Sequence, residues 1–118
     1  MSYDPNNIFA KILRGEIPSK PVYEDDFAIA INDIAPSAPT HILVIPRGAY
    51  SSFADFMAHA DAKEVTGFFN AISNVAKQYT GNTDFRLITN NGANAGQSVF
   101  HFHVHILAGK PMGQLLAD

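Results

Sequence analysis

Three histidines fall within five residues, His101-Phe102-His103-Val104-His105, and Ile106-Leu107 extends the apolar alternation. On an extended strand alternate side chains share a face, with same-face neighbours about 6.5–7 Å apart. The spacing therefore predicts Phe102, Val104 and Ile106 turned into the core and three imidazoles lined along the opposite face. A helix would scatter them, because residues two apart on a helix do not face each other. One such histidine is ordinarily structural; three on one polar face point to a reaction centre. Two chemistries suit that face. His-x-His on a strand offers two zinc ligands, and His41, in a separate apolar run, is a candidate third. Metal-bound histidines usually give their other N–H to carboxylates or carbonyls, yet the neutral Gln97 and Ser98 precede the triad, which disfavours zinc. The second chemistry is metal-free phosphoryl or nucleotidyl transfer. A neutral imidazole, with a reference pKa of about 6.5, is a competent nucleophile at phosphorus at pH 7. His103, flanked by two more imidazoles, is the expected nucleophile, one ring nitrogen facing phosphorus and the other held by a backbone carbonyl. Gly96 is expected to let backbone N–H groups approach phosphate oxygens.

Short elements must position these residues. Ile8 to Arg14 reads as a helix, with Asn6 or Asn7 as its cap and Gly15 as its stop. Pro18 and Pro21 lead into a strand at Val22-Tyr23-Glu24, and Asp25-Asp26 into a second at Phe27 to Ile31. Residues 33 to 39 carry two prolines and read as a loop before a third strand, His41 to Ile45, closed by Pro46. Asp61 and Glu64 have the spacing of a capping box. Val65, Phe68, Phe69, Ile72, Val75, Ala76 and Tyr79 then recur at helical intervals up to Gly81. Such a wide stripe faces the core and has room for a partner chain as well. Asp84 to Thr89 and His101 to Ala108 supply the last two strands, and the polar loop from Asn90 to Ser98 between them is long enough to suggest function. His59 is read as a solvent-facing residue near the long helix. The pattern predicts an α+β domain spanning 1–118, with one long and one short helix on a mainly antiparallel five-stranded sheet.

Composition narrows the classes. The 118 residues are 47% hydrophobic and 16% charged, enough apolar material for one core without metal or disulfide staples. Eight Lys and Arg against eleven Asp and Glu leave a formal charge of −3 without a basic cluster, so a nucleic-acid polyanion is an unexpected partner. The absence of cysteine removes thiolate metal sites and cysteine nucleophiles. No apolar stretch approaches the roughly 20 residues of a bilayer span, and no apolar signal core follows Met1. The expectation is a cytoplasmic protein without membrane contact.

His101-Phe102-His103-Val104-His105-Ile106-Leu107 resembles the signature of the histidine triad (HIT) superfamily. The resemblance extends over Asp33-Ile34, Pro39 to Pro46 and Asn90 through Leu107, and is nearest to the Hint branch in its short bacterial form. It implies a HIT-like fold and a homodimer whose two sheets join into one of ten strands, with the long helix and the strand around 84–89 at the contact. It implies attack by His103 on the α-phosphate of a purine nucleotide substrate, giving a nucleotidyl-histidine. His105 then assists the leaving group, and His101 and His41 support the nucleophile. Asn90, Gly96, Gln97 and Ser98 surround the phosphate, with Ser98 available to the departing amine. Asp33 accepts from ribose hydroxyls, and Ile8, Phe9, Ile12, Ile31, Ile34 and Leu43 wall the base. The implied reaction is hydrolysis of the P–N bond of a purine nucleoside phosphoramidate, without a cofactor. The alternatives are dinucleoside polyphosphate hydrolysis, disfavoured by a histidine at 105, and a nucleotide-binding regulatory module with little turnover. Arg47-Gly48-Ala49 stands where many relatives carry a further histidine, Asn91 where many carry an acid, and the tail lacks an aromatic end.

Overall fold

The computed structural model describes residues 3–116. Its five strands, β1 (Tyr23–Glu24), β2 (Ala28–Asn32), β3 (Thr40–Pro46), β4 (Phe85–Ile88) and β5 (Val104–Ala108), form one sheet in the order β1-β2-β3-β5-β4. Every neighbouring pair is antiparallel, so the α+β expectation and the five-stranded sheet hold. The helices are α1 (Ile8–Leu13), α2 (Phe53–His59) and α3 (Ala62–Thr80), with a 3₁₀ turn at Ala93–Ala95.

The expected count of one long and one short helix is corrected by α2. Its cap is regular, the Ser52 side chain accepting from the Asp55 N–H. Only Phe56 of its seven residues is buried, so the helix presents no apolar stripe long enough to read by period. The other two helices begin as expected. Asn7 caps α1 by accepting from the Ala10 N–H, and Asp61 caps α3 by accepting from the Glu64 N–H. The return half of the capping box is not made. The Glu64 carboxylate instead accepts from the Tyr50 hydroxyl at 2.8 Å. Burial first, and then this carboxylate, push the Tyr50 phenol up to about 12.

The sheet has two unlike faces. Ala28, Ala30, Ile42, Val44, Val104 and Ile106 meet Phe68, Ala71, Ile72 and Val75 of α3 in the main core, which Phe56 and Phe102 complete. Gly67 permits this approach, since a Cβ there would lie 2.4 Å from the ring of Phe27. The α3 stripe is narrower than its sequence period: Phe69 and Tyr79 are exposed at its margins. On the opposite face Phe9 of α1 packs with Ile29, Leu43 and Ile45, and Ile12, Leu13, Ile31 and Val99 close around them. His41 and the three clustered histidines lie on this second face.

The last strand is shorter than the expected 101–108. Its register sets Thr40 opposite Ala108 and Val44 opposite Val104. Continued, it would put Pro46, which has no N–H, opposite Phe102. The chain leaves the ladder there, and other partners take over: the Phe102 N–H donates to Tyr50 O at 2.7 Å, and the Thr89 hydroxyl to His103 O at 2.8 Å. Among the described residues no helix is long and apolar enough to cross a membrane.

Candidate active site

Alternation survives the early end of β5. Phe102 lies between Phe56 and Phe68, at ring separations of 4.9 and 5.2 Å, and the histidines on either side of it turn the other way. The ring of His103 meets Phe9 edge-on at 4.9 Å and His105 at 5.1 Å. His41 reaches His105 from β3, their ring nitrogens 2.9 Å apart. His41, His103 and His105 therefore meet on one face. The face is far less open than a polar strand face suggests, since His101 is only 1% exposed and His103 only 9%.

Backbone anchors fix which ring nitrogen carries hydrogen. His103 Nδ1 lies 2.7 Å from His101 O. A carbonyl only accepts, so Nδ1 is the donor and the lone pair of the neutral ring sits on Nε2. At His41 the order is set from the other end. The Ser37 N–H points at Nδ1 from 3.0 Å, so Nδ1 accepts and Nε2 bears the hydrogen. That hydrogen is directed to His105 Nδ1 at 2.9 Å, with Asp33 Oδ2 at 3.3 Å. His105 Nδ1 therefore accepts, and its Nε2 carries the hydrogen. Two neighbouring rings thus present opposite functions, a lone pair on His103 Nε2 and a donor on His105 Nε2.

Burial supports the neutral forms. It is the largest cause lowering His101 to about 4 and His105 to about 4; positive charge on His103 and His41 would lower His105 further, while Asp33 opposes. His103 is lowered chiefly by burial, with its bond to His101 O and the Asp33 charge acting the other way.

The remaining expected residues divide. Phe9 and Leu43 are buried beneath the site, with Ile12 and Ile31 partly buried beside them. Ile8 is half-exposed, and Ile34 is 99% exposed, so it walls nothing within this chain. Asp33 is tied by Oδ1 to the Ala35 N–H and lies against His41 by Oδ2. In the loop, Gln97 is buried with its amide spent on backbone: it donates to Ser51 O and Val99 O and accepts from the Gly92 N–H. Asn90 donates to Ala95 O. Around Gly96 the Gly96 and Gln97 N–H groups donate to Ala93 O and Gly92 O inside the loop. What Gly96 does supply is a positive φ of 95°, which closes the 3₁₀ turn. Ser98 follows, exposed.

Asp33, His41 and His105 each offer a ligand atom within 4.8 Å of the others, a different set from the His-x-His zinc site read in the sequence. The His41 Nε2 hydrogen already joins these groups, and His101 and His103 each direct a ring nitrogen at a carbonyl. The donor set fits a proton-sharing chain better than an ion. His59 is exposed as expected, and its Nδ1 pairs with Asp55 Oδ1 at 2.7 Å. Sequence reasoning passed over Thr89, Ser37 and Tyr3. The first two act on a backbone carbonyl and through a backbone N–H, contacts that leave no spacing signal.

Comparison with known proteins agrees with this geometry. The HIT domain matches residues 14–112. A HIT-like protein of Azospirillum brasilense is 48% identical over 116 residues, covering 98% of this chain and 95% of its own. The purine nucleoside phosphoramidase of Escherichia coli K12 is 41% identical over 111 residues, covering 93% of this chain and 92% of its own. A HIT family hydrolase from Clostridium thermocellum superposes with a TM-score of 0.85 at 40% identity, covering 94% and 97%.

Proposed function

The chain belongs to the HIT domain family and is a hydrolase of that family, and from this we propose that it cleaves the P–N bond of purine nucleoside phosphoramidates through His103. One observation carries the reading: His103 offers a lone pair at its Nε2 while His105 beside it offers a hydrogen at its own Nε2. In the first step a bond forms from His103 Nε2 to the α-phosphorus as the bond from phosphorus to the amine breaks, and the amine departs with the hydrogen that His105 carries at Nε2. Water then attacks the same phosphorus as its bond to His103 Nε2 breaks, returns one hydrogen to His105, and releases the nucleoside monophosphate. Over the cycle one water is consumed, and one amine and one monophosphate leave. His105 donates from Nε2 to the phosphate or leaving group, His41 holds its tautomer, and the exposed Ser98 hydroxyl serves the amine. Asp33 keeps a partly exposed carboxylate for ribose hydroxyls, and Ile8, Phe9, Ile31 and Leu43 give the base its apolar ground.

A substrate panel tests this directly. Adenosine and guanosine phosphoramidates should be hydrolysed with kcat/KM at least about tenfold above diadenosine polyphosphates, a margin of roughly 1.4 kcal/mol in transition-state binding. Preference for the polyphosphates would assign the site to that chemistry, and tight monophosphate binding without turnover would make it a regulatory module.

We also infer a homodimer. β4 is an unpaired sheet edge carrying exposed Phe85, Leu87 and Ile88, and exposed Phe69 lies on α3. Exposed apolar edges are normally covered, and pairing the four-residue β4 with a second copy would join two five-stranded sheets into one of ten. Light scattering at low micromolar concentration should give twice the chain mass of 12.8 kDa; a species at the single mass would overturn the pairing.

A further inference from the structure

Tyr3 belongs to none of the matched motifs, yet its hydroxyl lies 2.7 Å from His101 Nδ1. The direction of that bond follows from the far side of the ring. His101 Nε2 is 2.9 Å from Pro46 O, which can only accept, so Nε2 carries the hydrogen. Burial keeps the ring neutral, with its pKa down to about 4. Nδ1 then holds a lone pair, and the Tyr3 O–H donates to it.

We propose that Tyr3 is a positioning residue of the active site: its hydroxyl pins the His101 ring, and the carbonyl of that same residue holds His103 in its Nδ1–H form. This rests on the reading of His103 as nucleophile. The other tautomer would set a lone pair at Nε2 against the Pro46 carbonyl oxygen and make the Tyr3 oxygen the acceptor, and turning the ring over would present carbon to both partners. With the ring fixed between Tyr3 and Pro46, residue 101 has one orientation, and its carbonyl meets His103 Nδ1 at 2.7 Å.

The stretch around Tyr3 is folded to hold it. Asp4 Oδ1 accepts from the Asn6 N–H at 2.9 Å, Asp4 O accepts from Asn7 Nδ2 at 2.8 Å, and Asn7 caps α1. In the first turn of that helix, Phe9 sets its ring edge-on against both His101, at 6.4 Å, and His103, at 4.9 Å. One continuous segment therefore clamps both histidines, Tyr3 through a hydrogen bond and Phe9 through packing.

Tyr3→Phe removes the hydroxyl and keeps the ring, whose edge contact with His101 is at 5.6 Å. Two readouts are needed. In histidine-¹⁵N-labelled protein without substrate, the His101 Nδ1 signal should move from a hydrogen-bonded to a free lone-pair position, and the His103 Nδ1–H should exchange faster with water. With adenosine phosphoramidate, kcat per folded molecule should fall about three- to tenfold, the span of one ordinary neutral hydrogen bond, with KM changed by less than about twofold. Parental ¹⁵N signals, or a lowered melting midpoint with parental kcat, would overturn the proposal and leave Tyr3 a purely structural residue. His103→Ala serves as the reference for the underlying reading. If the parent protein itself does not turn over phosphoramidates, the nucleophile assignment fails, while the NMR comparison still decides the Tyr3 contact.

Discussion

His103→Ala should lose phosphoramidate turnover by a factor on the order of 10⁴ or more, the scale seen when a covalent nucleophile is removed. Binding of a nucleoside monophosphate should change by less than about threefold, because the groups proposed to hold ribose and phosphate remain and the lost contact is made chiefly in the transition state. The measurement is steady-state hydrolysis beside calorimetric titration with the monophosphate. A structural role for His103 predicts the reverse pattern. The ring is 9% exposed and packed on Phe9, so its loss would then appear as lowered stability and weakened binding, with turnover reduced only in proportion. Turnover surviving in a folded variant would move the chemistry to another group. His105 is the neighbouring imidazole, its ring 5.1 Å away, and its tautomer offers a donor where a nucleophile needs a lone pair.

The second large effect concerns stability against pH. His101 and His105 are held down to about 4 in the folded protein, against about 6.5 for an unperturbed imidazole. Between those values the unfolded chain binds more protons than the folded one, so stability rises with pH and falls on acidification. The stabilisation is complete above about pH 6.5, declines as pH drops, and levels off below about 4. Each proton taken up only by the unfolded chain contributes a slope of about 1.4 kcal/mol per pH unit. His101 carries most of this, because His105 is partly exposed and solvent screens its share. Urea midpoints measured from pH 7.5 to 5 isolate the histidines, since carboxylates stay ionised over that range. The slope should flatten in His101→Gln, which cannot titrate. An equal slope in parent and variant would mean that the ring takes up its proton as readily in the folded protein as in the unfolded chain.

Much of the site was written in the residue order. Alternation of histidine with phenylalanine, valine and isoleucine needs only the two-residue repeat of an extended chain to divide imidazoles from core. That division holds even at His101–His103, where the ladder has ended. Caps at Asn7 and Asp61, the stop at Gly81 and the prolines around β3 are equally local, because each depends on hydrogen bonds or dihedral limits within a few residues. Such signals delimit elements to within a residue or two. They failed at α2, whose single buried residue gives no period, and at Glu64, whose carboxylate prefers a tyrosine from a distant segment to its own cap.

What the order of residues could not decide is which nitrogen of each ring bears a hydrogen. That depends on Pro46 O, His101 O and the Ser37 N–H, backbone groups whose places are set only when β3, β5 and the loops around them are assembled. The same holds for the loop: that the Gly96 and Gln97 N–H groups donate to Ala93 O and Gly92 O is decided only when the loop folds. Side-chain type and spacing determine which chemistry is on offer, since they are properties of the chain. Tautomer, burial and the direction of each lone pair belong to the tertiary structure, because they arise from contacts between segments up to 98 residues apart.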